Sequence, residues 1–382
     1  MTKLEQLIKE LCPNGVKYLK IGEVVNYEQP SKYIVSSTDY NDTFDIPVLT
    51  AGQTFILGYT NEKNGIYYAS KEEPVIIFDD FTGAFKWVDF PFKVKSSAMK
   101  ILTVEDKRTF LRYIFHVMGY IGYSSTEHKR LWIGLYSEFE IPVPPLPVQS
   151  EIVRILDNFT ELTAELTAEL TARKQQYEHY TYQLLNFDNT VQTHQLRELI
   201  DFRNGKGHEK DIVSDGKYIV VNSKFISTNG EVKKYSNKQI SPLFVDDILM
   251  VMSDLPNGRA LAKCFLVAED DKYTLNQRIG AFHVKDESVI KTRFLLYVMN
   301  RNHQLLRYDN GVDQTNLRKD DILDIMIPVP SIEEQERIVA ILDRFDTLCN
   351  DISEGLPAEI EGRRKQYEYY RDKLLTFKEK VN

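Results

Sequence analysis

Two stretches of the chain carry apolar residues at helical spacing for longer than a packed globular helix needs. Ile152, Ile155, Leu156, Phe159, Leu162, Leu166 and Leu170 recur every three or four positions, and Ile338, Ile341, Leu342, Phe345, Leu348, Ile352, Leu356 and Ile360 do the same. With 3.6 residues per turn, each set forms a narrow stripe along one helix face. Such a stripe suits a helix that seams against one other helix. The pattern therefore predicts a spacer coiled coil built on Phe159, Leu162, Leu166, Leu170, Phe345, Leu348, Ile352 and Leu356. Two amphipathic helices packed on their own domains would give a similar stripe. Pro142, Pro144, Pro145 and Pro147 bar a helix before the first stripe, and Pro328 and Pro330 do so before the second. Pro357 after Gly355 is a place where the second helix can break.

The rest of the chain reads differently. Short β-branched and aromatic runs such as IPVLTAG, GIYYAS and PVIIFDD alternate with Gly, Asn and Asp turns, which predicts mixed, strand-rich domains. The whole arrangement is written twice. IPVPPLPVQSEIVRILDNF (141–159) lies over IPVPSIEEQERIVAILDRF (327–345), so that Gln149 meets Gln335, Asp157 meets Asp343 and Phe159 meets Phe345. KQQYEHYTYQLLNF (174–187) then matches RKQYEYYRDKLLTF (364–377), with the second copy longer in between. The preceding segments diverge but run in parallel. Residues 20–27 resemble 195–202, PVIIFDDF (74–81) corresponds to DDILMVMSDL (246–255), TFLRYIFHVM (109–118) to RFLLYVMNRN (293–302), and Leu131 to Leu317. The expected fold class is α+β: two strand-rich mixed domains, 1–140 and 191–326, with long helical spacers at 141–190 and 327–382, each suited to seam against one partner helix.

Within the first spacer, Glu161 to Ala172 spell ELTA three times without an error. Four residues advance a helix by about 6 Å and overshoot one turn by roughly 40°, so each copy returns a leucine to nearly the same face. The repeat has the form of a length-setting insert, or else of a stable helix whose repetition has no metrical role.

Charge and composition narrow the function. The net charge of −8 argues against a nucleic-acid partner for the chain as a whole. The acidic excess, however, sits mostly in 141–194 and 326–382, leaving the other segments free to carry basic surfaces. No apolar run is long enough to span a bilayer and the N-terminus is not a signal peptide. Cys12, Cys264 and Cys349 are isolated, so neither disulfides nor a zinc site is expected, and a reducing cytoplasm fits best.

Catalytic motifs are missing. There is no GxxxxGK[ST] phosphate loop, Gly205-Lys206-Gly207 having the wrong spacing, and no acidic helicase box. The one Pro-Pro pair, Pro144-Pro145, is followed by leucine, not by the aromatic residue an amino-methyltransferase turn needs. Glu231-Val232-Lys233 has the ExK form of metal-dependent nucleases, but no Pro-Asp pair accompanies it. The histidines lack metal-ligand spacing, and no metal or catalytic residue is expected. This pattern belongs to a recogniser and scaffold.

Two divergent domains, each followed by an IPVP…Q…IV.ILD.F helix ending in KQYEYYR..LL.F, with a tetrad repeat in the first helix, closely resemble the specificity subunit of type I restriction-modification systems, and the tetrad suggests the IC subgroup. The resemblance covers nearly the whole chain. It implies a non-catalytic, cytoplasmic subunit whose two long helices pair as an antiparallel coiled coil and whose two variable domains are target recognition domains, each reading one half of a bipartite, asymmetric site in double-stranded DNA. It further implies two modification subunits carrying S-adenosylmethionine and two restriction subunits using ATP and Mg, with no cofactor on this chain and no membrane. A self-contained nuclease-methyltransferase fragment and an orphan DNA-binding regulator are the alternatives. Absent catalytic motifs count against the first, and the partner-sized helical surface against the second.

Reading bases needs Arg, Lys, Asn or Gln on loops that enter a groove, with cations and hydroxyls on phosphates. Matching places in the two repeats supply them. The first domain offers Gln29, Ser31, Lys32 and Tyr33, then Thr82, Lys86 and Trp87, then His128, Lys129 and Arg130. The second offers Arg203, Asn204, Lys206 and Lys210, then Asn257 and Arg259, then Gln314, Asn316, Arg318 and Lys319. Trp87 and Tyr33 could equally belong to the core.

Overall fold

The computed structural model describes every residue except 1, 51, 53, 124–128, 257, 381 and 382. Asn257 and His128 thus lie outside the described residues. The chain divides into two compact units: unit 1 comprises 1–168 and 358–382, and unit 2 comprises 169–357.

Unit 1 opens with helix α1 (Lys3–Leu11), capped by Thr2 and Glu5, whose side chains exchange hydrogen bonds with each other's backbone N–H. Its strands are Lys17–Lys20 (β1), Asn26–Glu28 (β2), Ile46–Leu49 (β3), Ile56–Thr60 (β4), Val75–Asp79 (β5), Phe85–Val88 (β6), Lys93–Val94 (β7), Met99–Thr103 (β8) and Glu140–Val143 (β9). They form an antiparallel sheet ordered β2-β8-β5-β6, a smaller sheet β4-β3-β7, and the pair β1-β9 that closes the base. Helix α2 (Leu111–Ile121) follows β8.

Unit 2 repeats the plan. Its strands are Thr193–Gln195 (β10), Ile200–Asn204 (β11), Ile212–Val213 (β12), Tyr218–Val221 (β13), Tyr235–Ser236 (β14), Ile248–Val251 (β15), Ser253–Asp254 (β16), Cys264–Leu266 (β17), Tyr273–Leu275 (β18), Ile279–Val284 (β19), Thr315–Asn316 (β20) and Met326–Pro328 (β21). The main sheet runs β11-β19-β15-β17, the second β12-β14-β13-β18, and β10-β21 closes the base. In both second sheets one pair is parallel, β3 with β7 and β13 with β18. The main sheets thus share one strand order despite their divergent sequences.

Helix α3 (Leu146–Leu185) is unbroken through all three ELTA copies. Pro147 sits in its first turn, where a missing N–H costs nothing, and Val148 and Gln149 donate to the Pro145 carbonyl. The second spacer is two helices. In unit 2, after helix α4 (Thr292–Met299), comes α5 (Ile332–Asn350), capped by Ser331. α6 (Leu356–Leu374) begins after a break at 351–355. The break is made by Asp351, whose carboxylate accepts from Ser353 and Glu354 N–H, and by Gly355, where any Cβ would overlap the Thr347 carbonyl.

The expected seam needs correction accordingly. Ile352 lies in the break and is 70% exposed; Leu162 and Leu348 are also exposed, whereas Leu356 is buried. Leu166 and Leu170 are half-buried. Phe159 and Phe345 of the expected seam do meet the other helix, by aromatic stacking. Within unit 1, Phe159 stacks on Tyr370 at 5.3 Å, and within unit 2 Tyr177 and Tyr180 stack on Phe345 at 5.9 and 5.4 Å.

The residues that match between the repeats join each strand-rich head to its helix. Gln149 donates to the Arg108 and Pro144 carbonyls and accepts from Thr109 Oγ1. Gln335 donates to the Val289 and Pro330 carbonyls and accepts from Lys291 N–H. Both glutamines are fully buried. Asp157 accepts from Arg112 and sits 2.7 Å from His116 Nε2; Asp343 accepts from Arg293 and Tyr297 in the same way. These bonds align Arg112 with Arg293 and correct the sequence register for α2 and α4 by three residues, since matching 109–118 to 293–302 places Thr109 opposite Arg293.

Glu151, buried on α3, bonds Arg154 and then Lys3 of α1 (3.0 Å), and these hydrogen bonds hold its carboxyl pKa down at about 2. A carboxyl with a depressed folded-state pKa contributes stability above its ordinary value of 4.5 and loses it as pH falls towards 2. Glu151→Gln is therefore expected to lower stability at neutral pH and to flatten the loss in that acid window, as read by urea midpoints across the pH range.

Candidate nucleic-acid interface

Strand register decides which loops share an end of each sheet. In unit 1, β2 pairs Glu28 with Ile101, and β5 pairs Ile77 with Ile101 and Asp79 with Met99. The segment leaving β2, with Gln29, Ser31, Lys32 and Tyr33, therefore emerges at the same end as the β5–β6 turn. That turn is built by its sequence: Asp79 accepts from Phe81 and Thr82 N–H, and Gly83 takes φ 77, which a Cβ would oppose. Thr82 is exposed there and Lys86 lies nearby on β6, opposite Ile77. Leu131 N–H donates to the Asp80 carbonyl and Trp132 N–H to its carboxylate, which brings the exposed Lys129 and Arg130 to this end. Asp80 itself is buried and ion-paired at 3.0 Å with the wholly buried Lys100. The Lys100 ammonium makes no hydrogen bond of good geometry and faces the Tyr27 ring at 5.7 Å.

Two unit 1 candidates serve the fold. Tyr33 packs edge-on against Tyr67 at 5.0 Å and donates to Glu28, and burial raises its phenol pKa. Trp87 stacks under the Arg112 guanidinium at 4.6 Å and against Phe115.

Unit 2 gathers its candidates at the corresponding end. Gly205 N–H donates to Ile279, Lys206 N–H to Leu275, and Gln277 N–H back to Lys206, so the 204–207 turn lies along 275–279. A side chain at Gly205 would overlap the Asn276 carbonyl. Met252 N–H bonds the Arg278 carbonyl, Leu317 N–H bonds Met252, and β16 pairs with β20. One run of backbone bonds thus brings together exposed Asn204, Lys206, Arg259, Asn316, Arg318 and Lys319, with Gln314 bonded to Ser253 at 2.7 Å. Lys319 also lies over the Phe202 ring at 5.5 Å, and exposed Lys210 sits in the short turn after buried His208. His208 fixes this loop through Lys206 O at 2.7 Å and Thr274 Oγ1 at 2.9 Å.

Arg203 is the exception. Its guanidinium donates to Pro242 O and to the buried Asp247 carboxylate and covers Phe244, so it is spent inside unit 2. The sequence reading also missed a loop at each site. Asn276, Gln277 and Arg278, between β18 and β19, and Lys95, Ser96 and Ser97, between β7 and β8, occupy this same end. Arg278 is exposed and holds φ 75, a backbone strain that a non-glycine residue bears at a cost of about 1–2 kcal/mol.

Among the described residues, no group of three or more His, Cys, Asp or Glu side chains is placed to hold a metal, and no helix is long and apolar enough to cross a membrane. The arrangement offers cations, amides and hydroxyls on loop ends of twin sheets, a set suited to hydrogen-bond and phosphate recognition.

The family model for the type I restriction modification DNA specificity domain matches the chain twice, at 13–173 and 189–362. The chain belongs to that family. It is similar to the EcoR124I/EcoR124II specificity subunit of Escherichia coli, with 43% identity covering 99% of this chain and 98% of that one. A putative type I restriction enzyme specificity subunit of Haemophilus influenzae is 29% identical over 98% of each. Among solved structures, the S subunit of a type I restriction-modification system from M. genitalium covers 94% of this chain and 96% of that one, with a TM-score of 0.59 at 14% identity, a likeness of fold. As a member of the specificity family the chain is a non-catalytic subunit, and the twin-headed α+β fold expected from its sequence is the one observed.

Proposed function

We propose that unit 1 and unit 2 each read one half of a bipartite, asymmetric DNA site from the sheet ends described above, while α3, α5 and α6 carry the partner subunits. The observation that carries this reading is the repeated topology: one sheet order and one helix joint occur twice, with unlike loop residues at the same sheet end. Like scaffolds with unlike loops fit unlike half-sites, as identical heads fit palindromes. In this reading Gln29, Ser31, Lys32, Thr82, Lys86, Lys129 and Arg130 serve the first half-site. Asn204, Lys206, Lys210, Arg259, Gln314, Asn316, Arg318 and Lys319 serve the second, joined by Arg278. Arg203 and Tyr33 act through the fold. Two modification subunits bring S-adenosylmethionine, and two restriction subunits bring ATP and Mg. The variable regions are 1–140 and 191–326, the spacers 141–190 and 327–382, and the ELTA copies set the distance between half-sites.

The chain should methylate DNA only when assembled with a modification subunit. Exchanging residues 16–140 for the matching segment of a relative should then change one half of the methylated sequence and leave the other intact, as mapped by methylation-sensitive sequencing. Change in both halves, or in neither, would refute the reading.

A further inference from the structure

Among the described residues, three large aliphatic side chains are more than 65% exposed: Leu255 (68%), Val312 (75%) and Ile352. Ile352 belongs to the helix break. The other two lie on adjoining loops of unit 2, because β16 ends at Asp254 where β20 begins at Thr315. Both sit on loops whose backbone is held by hydrogen bonds. The Asp254 carboxylate accepts from Leu255, Ala260 and Leu261 N–H, while Gly258 N–H closes on the Leu255 carbonyl. On the facing loop the Asn310 side chain accepts from Val312 and Asp313 N–H. Fixing two apolar tips in water gains nothing for folding, so their placement points to a ligand surface.

The polar groups on the adjoining strand pair indicate the ligand. Gln314 donates to Ser253 Oγ at 2.7 Å, and Ser253 Oγ donates to Asn316 Oδ1 at 2.7 Å. Gln314 Oε1 and Asn316 Nδ2 have no partner among the described residues, so together they offer an acceptor and a donor. Exposed Arg259, Arg318 and Lys319 stand with the exposed Asp313 and Asp320, three cations to two carboxylates, and the cations suit a polyanion better than an apolar protein patch. In the major groove an A·T pair displays adenine N7 and N6, which an amide matches, beside the thymine C5-methyl, which an aliphatic side chain matches.

We propose that Leu255 and Val312 read thymine methyl groups, with Gln314 and Asn316 on the paired adenine, so that the half-site of unit 2 contains at least one A·T pair read this way. This rests on unit 2 being a DNA-reading head. The test uses the full chain assembled with its modification subunits and duplexes in which single thymines of the mapped half-site are replaced by deoxyuridine, removing the methyl alone. Affinity should fall about three- to tenfold at one or more positions, and uridines in the other half-site should not reproduce the Leu255 and Val312 dependence described next. The Leu255→Ala/Val312→Ala chain should bind the thymine duplex as weakly as the wild type binds the uridine duplex, with no further loss from the substitution. Equal binding of thymine and uridine duplexes at every position overturns the proposal, as does a half-site of G·C pairs alone or a variant that still loses affinity with uridine. A wild-type complex indifferent to scrambling of that half-site overturns the underlying reading of unit 2 itself.

Discussion

Deleting one ELTA copy between Glu161 and Ala172 is expected to abolish methylation of the original sites and create it at sites with the same two half-sites and a gap shorter by roughly one to two base pairs; adding a copy lengthens the gap equally. Four helical residues rise about 6 Å, and duplex DNA rises about 3.4 Å per base pair, so a helix tilted to the duplex gives the smaller change. The helix tolerates the edit because the repeat leans on itself. Thr163 and Thr167 donate to the carbonyls four residues back, at 2.8 and 2.7 Å, and Leu162 is exposed while Leu166 and Leu170 are half-buried. None of the side chains in 161–172 is fully buried, so a removed copy takes no core residue with it. Genome-wide mapping of methylated adenines in cells carrying each variant checks the result, and an unchanged gap or altered half-site bases would show that the repeat is not a ruler.

Asp80→Ala should destabilise unit 1 by about 3–5 kcal/mol, since it strands the buried Lys100 ammonium and takes the acceptor from Trp132 N–H. For a chain whose whole stability is of order 5–15 kcal/mol this is a large share, and the melting temperature should drop by about 10 °C. Asp80→Ala combined with Lys100→Met removes the stranded charge and should recover most of the loss in calorimetry. If the double variant melts as low as the single one, the buried pair is not the cause.

The duplication was legible because IPVP, Gln149/Gln335, Asp157/Asp343 and the tyrosine-rich helix ends serve the same joint twice, and so kept their identities. The register of α2 against α4 was misread because both helices are apolar on most faces; what fixes it is the bonding of Arg112 and His116 to Asp157, of Arg293 and Tyr297 to Asp343, and of Gln149 and Gln335 to the Arg108 and Val289 carbonyls. The helix seam was legible only in part, at Phe159 and Phe345, for a related reason. Leucine spacing gives the direction of a stripe but not its burial, and here ring stacking by Tyr177, Tyr180 and Tyr370, which fell outside the counted stripe, joins the helices. Arg278 stayed hidden between two short strands, because LNQRIG contains no turn dipeptide and its left-handed residue is an arginine. Arg203 looked like a reader because a sequence cannot reveal that Asp247, far along the chain, lies within reach of it.

The buried glutamines carry a consequence for how such chains change over generations. Of their partners, Arg108, Pro144, Val289 and Pro330 contribute carbonyl oxygens and Lys291 an N–H, groups that almost any residue supplies. The glutamine part of the joint is therefore largely blind to the sequence of the head it holds, whereas Thr109 Oγ1 and the Arg112, His116, Arg293 and Tyr297 partners of Asp157 and Asp343 are particular head side chains. A recombination event that splices in a foreign head inherits a working attachment if that head also brings a partner for the aspartate, as the unlike sets Arg112 with His116 and Arg293 with Tyr297 both do. New specificities can then arise by shuffling whole heads, a far larger step than point substitution in the loops allows.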